Sequence, residues 1–180
     1  MRKYIAILRG INVSGQKKIK MAELKSYLAE LAFVNIQTYI QSGNVLFDTE
    51  ATDARVLAGQ VSGKIKEKYG FEVPVIVKTV AEFEKVANHN PFNETWANDD
   101  RKLLVTFLDE IPTKENLDKL KLVKSGEDEF QLIGKNIYLH CPNGYGTTKF
   151  SNNLFENKLK VTATTRNWRT VNKLVELGKS

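Results

Sequence analysis

The stretch "RGINVSGQKKIK", residues 9–20, brings two glycines, a polar amide and a run of cations into one short segment, a combination suited to phosphate. Arg9 and Lys17 supply charge, Asn12 supplies an amide, and Gly10 and Gly15 leave backbone N–H groups open to an anion. The segment is not a Walker A loop. That motif needs Gly-x-x-x-x-Gly-Lys-Ser/Thr, so that the lysine reaches the terminal phosphates and the hydroxyl holds magnesium, whereas Gly15 is followed by Gln16, Lys17 and Lys18. A phosphate cradle without NTPase chemistry is one reading, and a flexible basic loop that turns on its glycines is the other.

Two further stretches could serve the same ligand. "QSGN" offers Gln41, Ser42 and Asn44 as orienting groups around Gly43. "KFSNN" offers Lys149, and "ATTRNWRTV", residues 163–171, offers Arg166 and Arg169. The last stretch reads as a helix start capped by Thr164 or Thr165. At 100° per residue Trp168, Val171 and Val175 then cluster on one side, with Arg166, Arg169 and Lys173 opposite. Trp168 is expected in the core and the arginines in solvent. A cation in a first helical turn costs about 0.3–1 kcal/mol against the helix dipole unless an anion is bound there.

Other chemistry is poorly supplied. One cysteine, Cys141, and two histidines, His89 and His140, make neither a disulfide nor a typical zinc site, so no metal is expected, and no cofactor motif is legible. His140 and Cys141 are neighbours on a strand and face opposite ways, which excludes a direct Cys-His pair. Ser42 has no base near it in sequence and suits a turn. His89 in "HNPF" could act as a general base, although a turn that docks Phe92 is the plainer role.

Charge fits the anion reading and fits equally a soluble protein whose ends happen to be basic. Residues 1–20 carry six bases and no acid, residues 145–180 carry seven bases and two acids, and the middle carries 14 bases and 19 acids, within a net charge of +6. If the fold joins the two ends, one face is strongly positive. The apolar run "YIAIL" is too short for a signal-peptide core or a membrane span, so a cytoplasmic protein without membrane attachment is expected.

The elements that would position these residues come in two series. "KYIAIL" reads as a strand buried on both faces, Met21, Leu24, Leu28 and Leu31 as a helix, and "NIQTYIQ" and "NVLFD" as strands joined at a tight Ser42-Gly43 turn. A helix from about Asp53 to Tyr69 stops at Gly70, and "VPVIVKT" is a further strand. Thr79 and Glu82 form a capping box for a short helix that leads into a polar link, "HNPFNETWANDD". The order then restarts with "KLLVTFL", a helix carrying Leu117 and Leu120, a Gly134-Lys135 hairpin of "EFQLI" and "NIYLH", a helix capped by Ser151 with a Phe150/Phe155 staple, and the final helix. The first half is βαββαβ and the second βαββα with an extra helix. The expected class is α+β, two ferredoxin-like (split βαβ) units in one chain with an added C-terminal helix. The expected organisation is a first unit over 1–79, a helix and linker over 80–100, and a second unit with the C-terminal helices over 101–180.

The blocks "YIAILRGINVSG", "KIKMAEL", "TYIQSGNVLF", "NPF", "KFSNN" and "ATTRNWRTVNKL" together resemble the bacterial family catalogued as domain of unknown function 1697, across nearly the whole chain. "VSG" stands where members often have "VGG", and "KFSNN" where a sequence closer to "KLTN" is common. The resemblance implies two ferredoxin-like halves and no established reaction. Its blocks coincide with the polar and basic stretches at Arg9 to Gly15, Gln41 to Asn44, Lys149 to Asn153 and Thr164 to Arg169, which are expected to converge.

Three functions fit. A phosphate-recognising binding protein comes first, with nucleic acid as its leading ligand, although neither "YIAIL" nor "KLLVTFL" has the aromatic pattern of RNA-recognition strands. An enzyme on a small phosphorylated or nucleotide-like substrate comes second, and it lacks an acid-base pair. A module for an acidic protein partner fits the charge equally well.

Overall fold

The computed structural model describes residues 1–50 and 52–180 and, within them, all side chains except those at 97 and 98. Alternation in the first strand sets the first layer. In β1 (Arg2–Leu8), Tyr4, Ala6 and Leu8 point to one face and Ile5 and Ile7 to the other, and all five are at most 1% exposed. It is followed by α1 (Met21–Leu28), β2 (Val34–Tyr39), β3 (Asn44–Thr49), α2 (Ala54–Tyr69) and β4 (Val75–Thr79). The strands form one antiparallel sheet in the order β2-β3-β1-β4. Leu24 and Leu28 of α1 and Leu57, Val61 and Ile65 of α2 close over Tyr4, Ala6, Leu8, Val45 and Phe47. Each such apolar side chain contributes about 1.5–3 kcal/mol on burial. α2 starts on Asp53, whose carboxylate accepts from Arg55 N, and stops at Gly70 with φ of 77°. The connection from β2 to β3 takes residues 40–43, a wider turn than the two-residue one expected, with left-handed backbone at Ile40 and Gly43.

After β4 come α3 (Val80–Asn88), started by the reciprocal Thr79/Glu82 capping box, and a one-turn α4 (Asn93–Trp96) that runs into a 3₁₀ turn at Ala97–Lys102. The pattern then repeats as β5 (Leu103–Leu108), α5 (Lys114–Lys121), β6 (Glu129–Ile133), β7 (Asn136–His140), α6 (Asn152–Leu159), β8 (Ala163–Asn167) and α7 (Trp168–Lys179). The second sheet is ordered β6-β7-β5-β8, equivalent to the first. The register is equivalent too, since Ile7 lies opposite Asn44 in one sheet and Phe107 opposite Asn136 in the other. Leu104, Leu108, Leu120, Ile137, Leu139, Phe155 and Leu159 form its helix-covered core. Contacts divide the chain into two compact units, Met1–Glu84 with Leu174–Ser180, and Lys85–Lys173. In the first unit the end of α7 lies on α3. A Cβ added to Gly178 would come within 2.7 Å of Val80 Cγ2, and Lys179 pairs with Glu84.

One local expectation is corrected. Residues 163–167 form the edge strand β8 and not the start of a helix, so the second half completes βαββαβ before its extra helix α7. The β-branched pair Thr164 and Thr165 lies opposite Phe107 and Thr106, and the Thr165 and Thr106 hydroxyls are 2.7 Å apart. The cap of α7 is Asn167, whose Oδ1 accepts from Thr170 N at 2.8 Å, in place of Thr164 or Thr165. Trp168 is buried as expected. Arg166 is not in solvent: a strand sends it to the sheet face opposite the helices, beside Val105, where it is 7% exposed.

Candidate functional site

In the first unit the structure joins the 9–20 loop to the 40–43 turn. Five loop residues, Gly10, Asn12, Ser14, Gly15 and Lys17, have φ between 44° and 75°. What holds this costly backbone is Asn12. Its Oδ1 accepts from Ile19 N at 2.8 Å, while its Nδ2 donates to Ile19 O at 3.0 Å and to Gln41 O at 2.8 Å. Lys17 donates from Nζ to Glu72 O at 2.7 Å, which ties the loop to the far end of α2. Gly43 fits because it has no side chain: a Cβ there would lie 2.6 Å from Ile11 Cδ1. Asn44 is fully buried and donates to Tyr39 O and Ser42 Oγ, closing the turn.

Asn44 and Ser42 are therefore occupied in shaping the turn, while Asn12 both braces the loop and faces the groove beside it. Asn12, Lys18, Ile19, Lys20, Met21, Ala22, Glu23 and Gln41 line a groove of about 520 Å³ at the start of α1. Every other helix of eight or more residues begins on a side-chain cap: Asp53 for α2, Thr79 for α3, Thr113 for α5, Ser151 for α6 and Asn167 for α7. At α1 the N-cap position is Lys20, which makes no capping hydrogen bond and instead pairs with Glu23 at 3.3 Å. The positive helix end opens on the groove with two lysines beside it, an arrangement that favours an anion. Lys18 and Lys20 stood in the sequence without being singled out. The readable signal was a missing one, "KIKM", with no Ser, Thr, Asp or Asn before the helix.

Arg9, Gly10, Gly15 and Lys17 sit on the same loop but do not line the groove. Arg9 anchors the loop's first residue through its N–H to Pro74 O at 2.9 Å. Lys149, Arg166 and Arg169 belong to the second unit. Lys149 is exposed, and its backbone N–H donates to Ser125 Oγ. Arg166 donates to Thr164 Oγ1 at 3.0 Å and to Thr165 O at 2.9 Å, and burial pushes its guanidinium down to about 10, a value that still leaves it charged at neutral pH. Arg169 is exposed and engaged by Asp100, whose carboxylate lies 2.9 Å from its Nη2 and holds the guanidinium above its usual range.

Burial also decides against thiol chemistry. Cys141 is fully buried and its thiol is pushed up to about 11, chiefly by desolvation. Among the described residues no group of three or more His, Cys, Asp or Glu could hold a metal ion, and no helix is long and apolar enough to cross a membrane.

The fold defines a duplicated ferredoxin-like α+β protein. The chain belongs to the family described as protein of unknown function (DUF1697), which matches over residues 1–138. A conserved bacterial protein of Streptococcus pneumoniae has a similar structure, with a TM-score of 0.77 at 21% sequence identity over 98% of both chains, a likeness that shows the fold. No curated protein matches the sequence.

Proposed function

We propose that this protein binds a phosphate-bearing ligand in the groove at the start of α1, with nucleic acid as the leading ligand class. The observation that carries the reading is the helix start left uncapped where Lys18, Lys20, Asn12 and Gln41 surround it. Nucleic acid would be gripped by its backbone phosphates. The open-sheet mode of RNA recognition is disfavoured, because Ile5, Ile7 and Leu46 on one sheet and Leu103, Val105 and Phe107 on the other are at most 2% exposed.

The confined size of the groove favours a second reading, an enzyme or receptor for a small phosphorylated molecule. Its chemistry is thin, since Glu23 is the one carboxylate in the lining and is engaged by Lys20.

Thermal-shift measurements with nucleotides, phosphosugars, short RNA and DNA at low and moderate salt, on the wild type and on Lys18→Glu, test both. A ligand at a hundredfold excess over its Kd adds about 2.7 kcal/mol. A small phosphate ester that stabilises the wild type at both salts, but not the variant, supports the small-ligand reading. Stabilisation by polyanions alone, fading with salt and weakened in the variant, supports nucleic acid. Equal responses of the two proteins, or no response, removes the groove from the function.

A further inference from the structure

A buried imidazole in the second unit lacks the partner its environment demands. His140, the last residue of β7, is 2% exposed and its Nδ1 makes no hydrogen bond. Its ring stacks on the Trp96 indole at the end of α4, with centroids 3.9 Å apart and planes 16° from parallel, and Phe92 lies 6.2 Å away. Across the strand pair stands Glu129 of β6, whose Oε2 is 3.6 Å from that Nδ1. Glu129 is the charged group facing the ring from β6, β5 presents Leu103, and the 92–96 segment presents the Phe92 and Trp96 rings and also carries Glu94. On β8 the cation of this sheet face is Arg166, one row away beyond Val105.

We propose that His140 is a proton-operated clamp that fastens α4 onto β7. Neutral, the ring carries a single N–H and no charge, so its hold on Glu129 across 3.6 Å and on the Trp96 indole is weak. Proton uptake from solvent puts N–H groups on both ring nitrogens, makes the Nδ1 contact with the Glu129 carboxylate charge-assisted and turns the ring into a cation lying flat against the indole, and both contacts strengthen. The clamp closes as pH falls and opens as pH rises. This device is independent of the groove at α1.

His89→Gln leaves His140 as the only histidine, so NMR of that variant between pH 5 and 8 reads one imidazole and the Trp96 indole N–H together. The expected result is one shared midpoint, with protection of the Trp96 amide, which donates to Phe92 O at 2.9 Å, falling above it after correction for intrinsic exchange. Glu129→Gln, a change at an exposed position, is expected to move both signals to lower pH, because it removes the anion that faces the ring. A Trp96 signal that is flat or titrates apart from His140, or a midpoint unmoved by Glu129→Gln, overturns the clamp.

Discussion

The two strand-to-helix junctions begin alike and end differently. Leu8 N donates to Gly43 O and Leu108 N to Lys135 O, both at 2.9 Å, and the next residues repeat the match, with Arg9 N donating to Pro74 O and Asp109 N to Thr162 O. From there the second unit reaches its helix in residues 109–113 and caps it with Thr113. The first unit takes residues 9–20, sends five of them into left-handed backbone and arrives at an uncapped helix. The charge at the equivalent first position is inverted, Arg9 against Asp109. The short junction shows what the topology requires, so the length, strain and charge of the long one are additions to the fold. That difference directs the search for function to the first unit's loop.

The comparison can be tested in the corresponding turns and loops. The largest effect is expected at the hairpin glycines: Gly43→Ala drives a Cβ into Ile11 and Leu8 at a φ of 89°, costing about 3 kcal/mol, whereas Gly134→Ala, at φ of 60° in open space, costs about 1 kcal/mol. Equal losses in denaturant titrations would show that the first unit's turn is not held against its loop. Asn12→Ala strands Ile19 N and two carbonyls and is expected to cost about 2 kcal/mol, with faster hydrogen exchange across residues 12–19.

A third contrast lies at the ends of the central hairpins, where Thr49 donates to Ala32 O while Cys141 is a thiol pushed up to about 11. The unfolded thiol releases its proton near pH 8.5–9, so between there and pH 11 the unfolded chain binds fewer protons than the native one and stability falls as pH rises, by about 2–3 kcal/mol. Cys141→Ala should flatten that slope in urea titrations from pH 8 to 11. The smallest change is the most informative about function. Lys20→Asp, at an extended φ of −78°, gives α1 the kind of cap the other helices have and should add about 0.5–1 kcal/mol while abolishing anion binding in the groove. Retained anion binding in that variant would end the argument from the open helix start.

Much of this frame was legible in the amino-acid sequence because local signals agreed with the tertiary demand. Gly70 as a stop, Ser151 as a cap and Thr79 with Glu82 as a capping box are short-range devices, and each is in place. β8 was not legible for a physical reason. Thr164, Thr165 and Asn167 are good caps as well as acceptable strand residues, and only pairing with β5 decides between the two roles. Arg166 was misplaced with it, since one strand step turns a side chain from solvent to a buried face. Burial does not show in a sequence, so the fully buried state of Asn44 was not legible, and the backbone partners of Asn12 and Asn44 at Ile19, Gln41 and Tyr39 appear only when the loop and the turn meet.

The membership of Leu174–Ser180 in the first unit also sets a schedule. Synthesis runs from the N-terminus, so residues 85–173 are all available before the segment that covers Val80 and pairs with Glu84 has been made. The unit encoded second can finish folding first. The unit encoded first has all four strands of its sheet by residue 79 but keeps the start of α3 uncovered until residues 174–180 have been made, and its exposure to proteases and to aggregation is expected to be greatest in that interval.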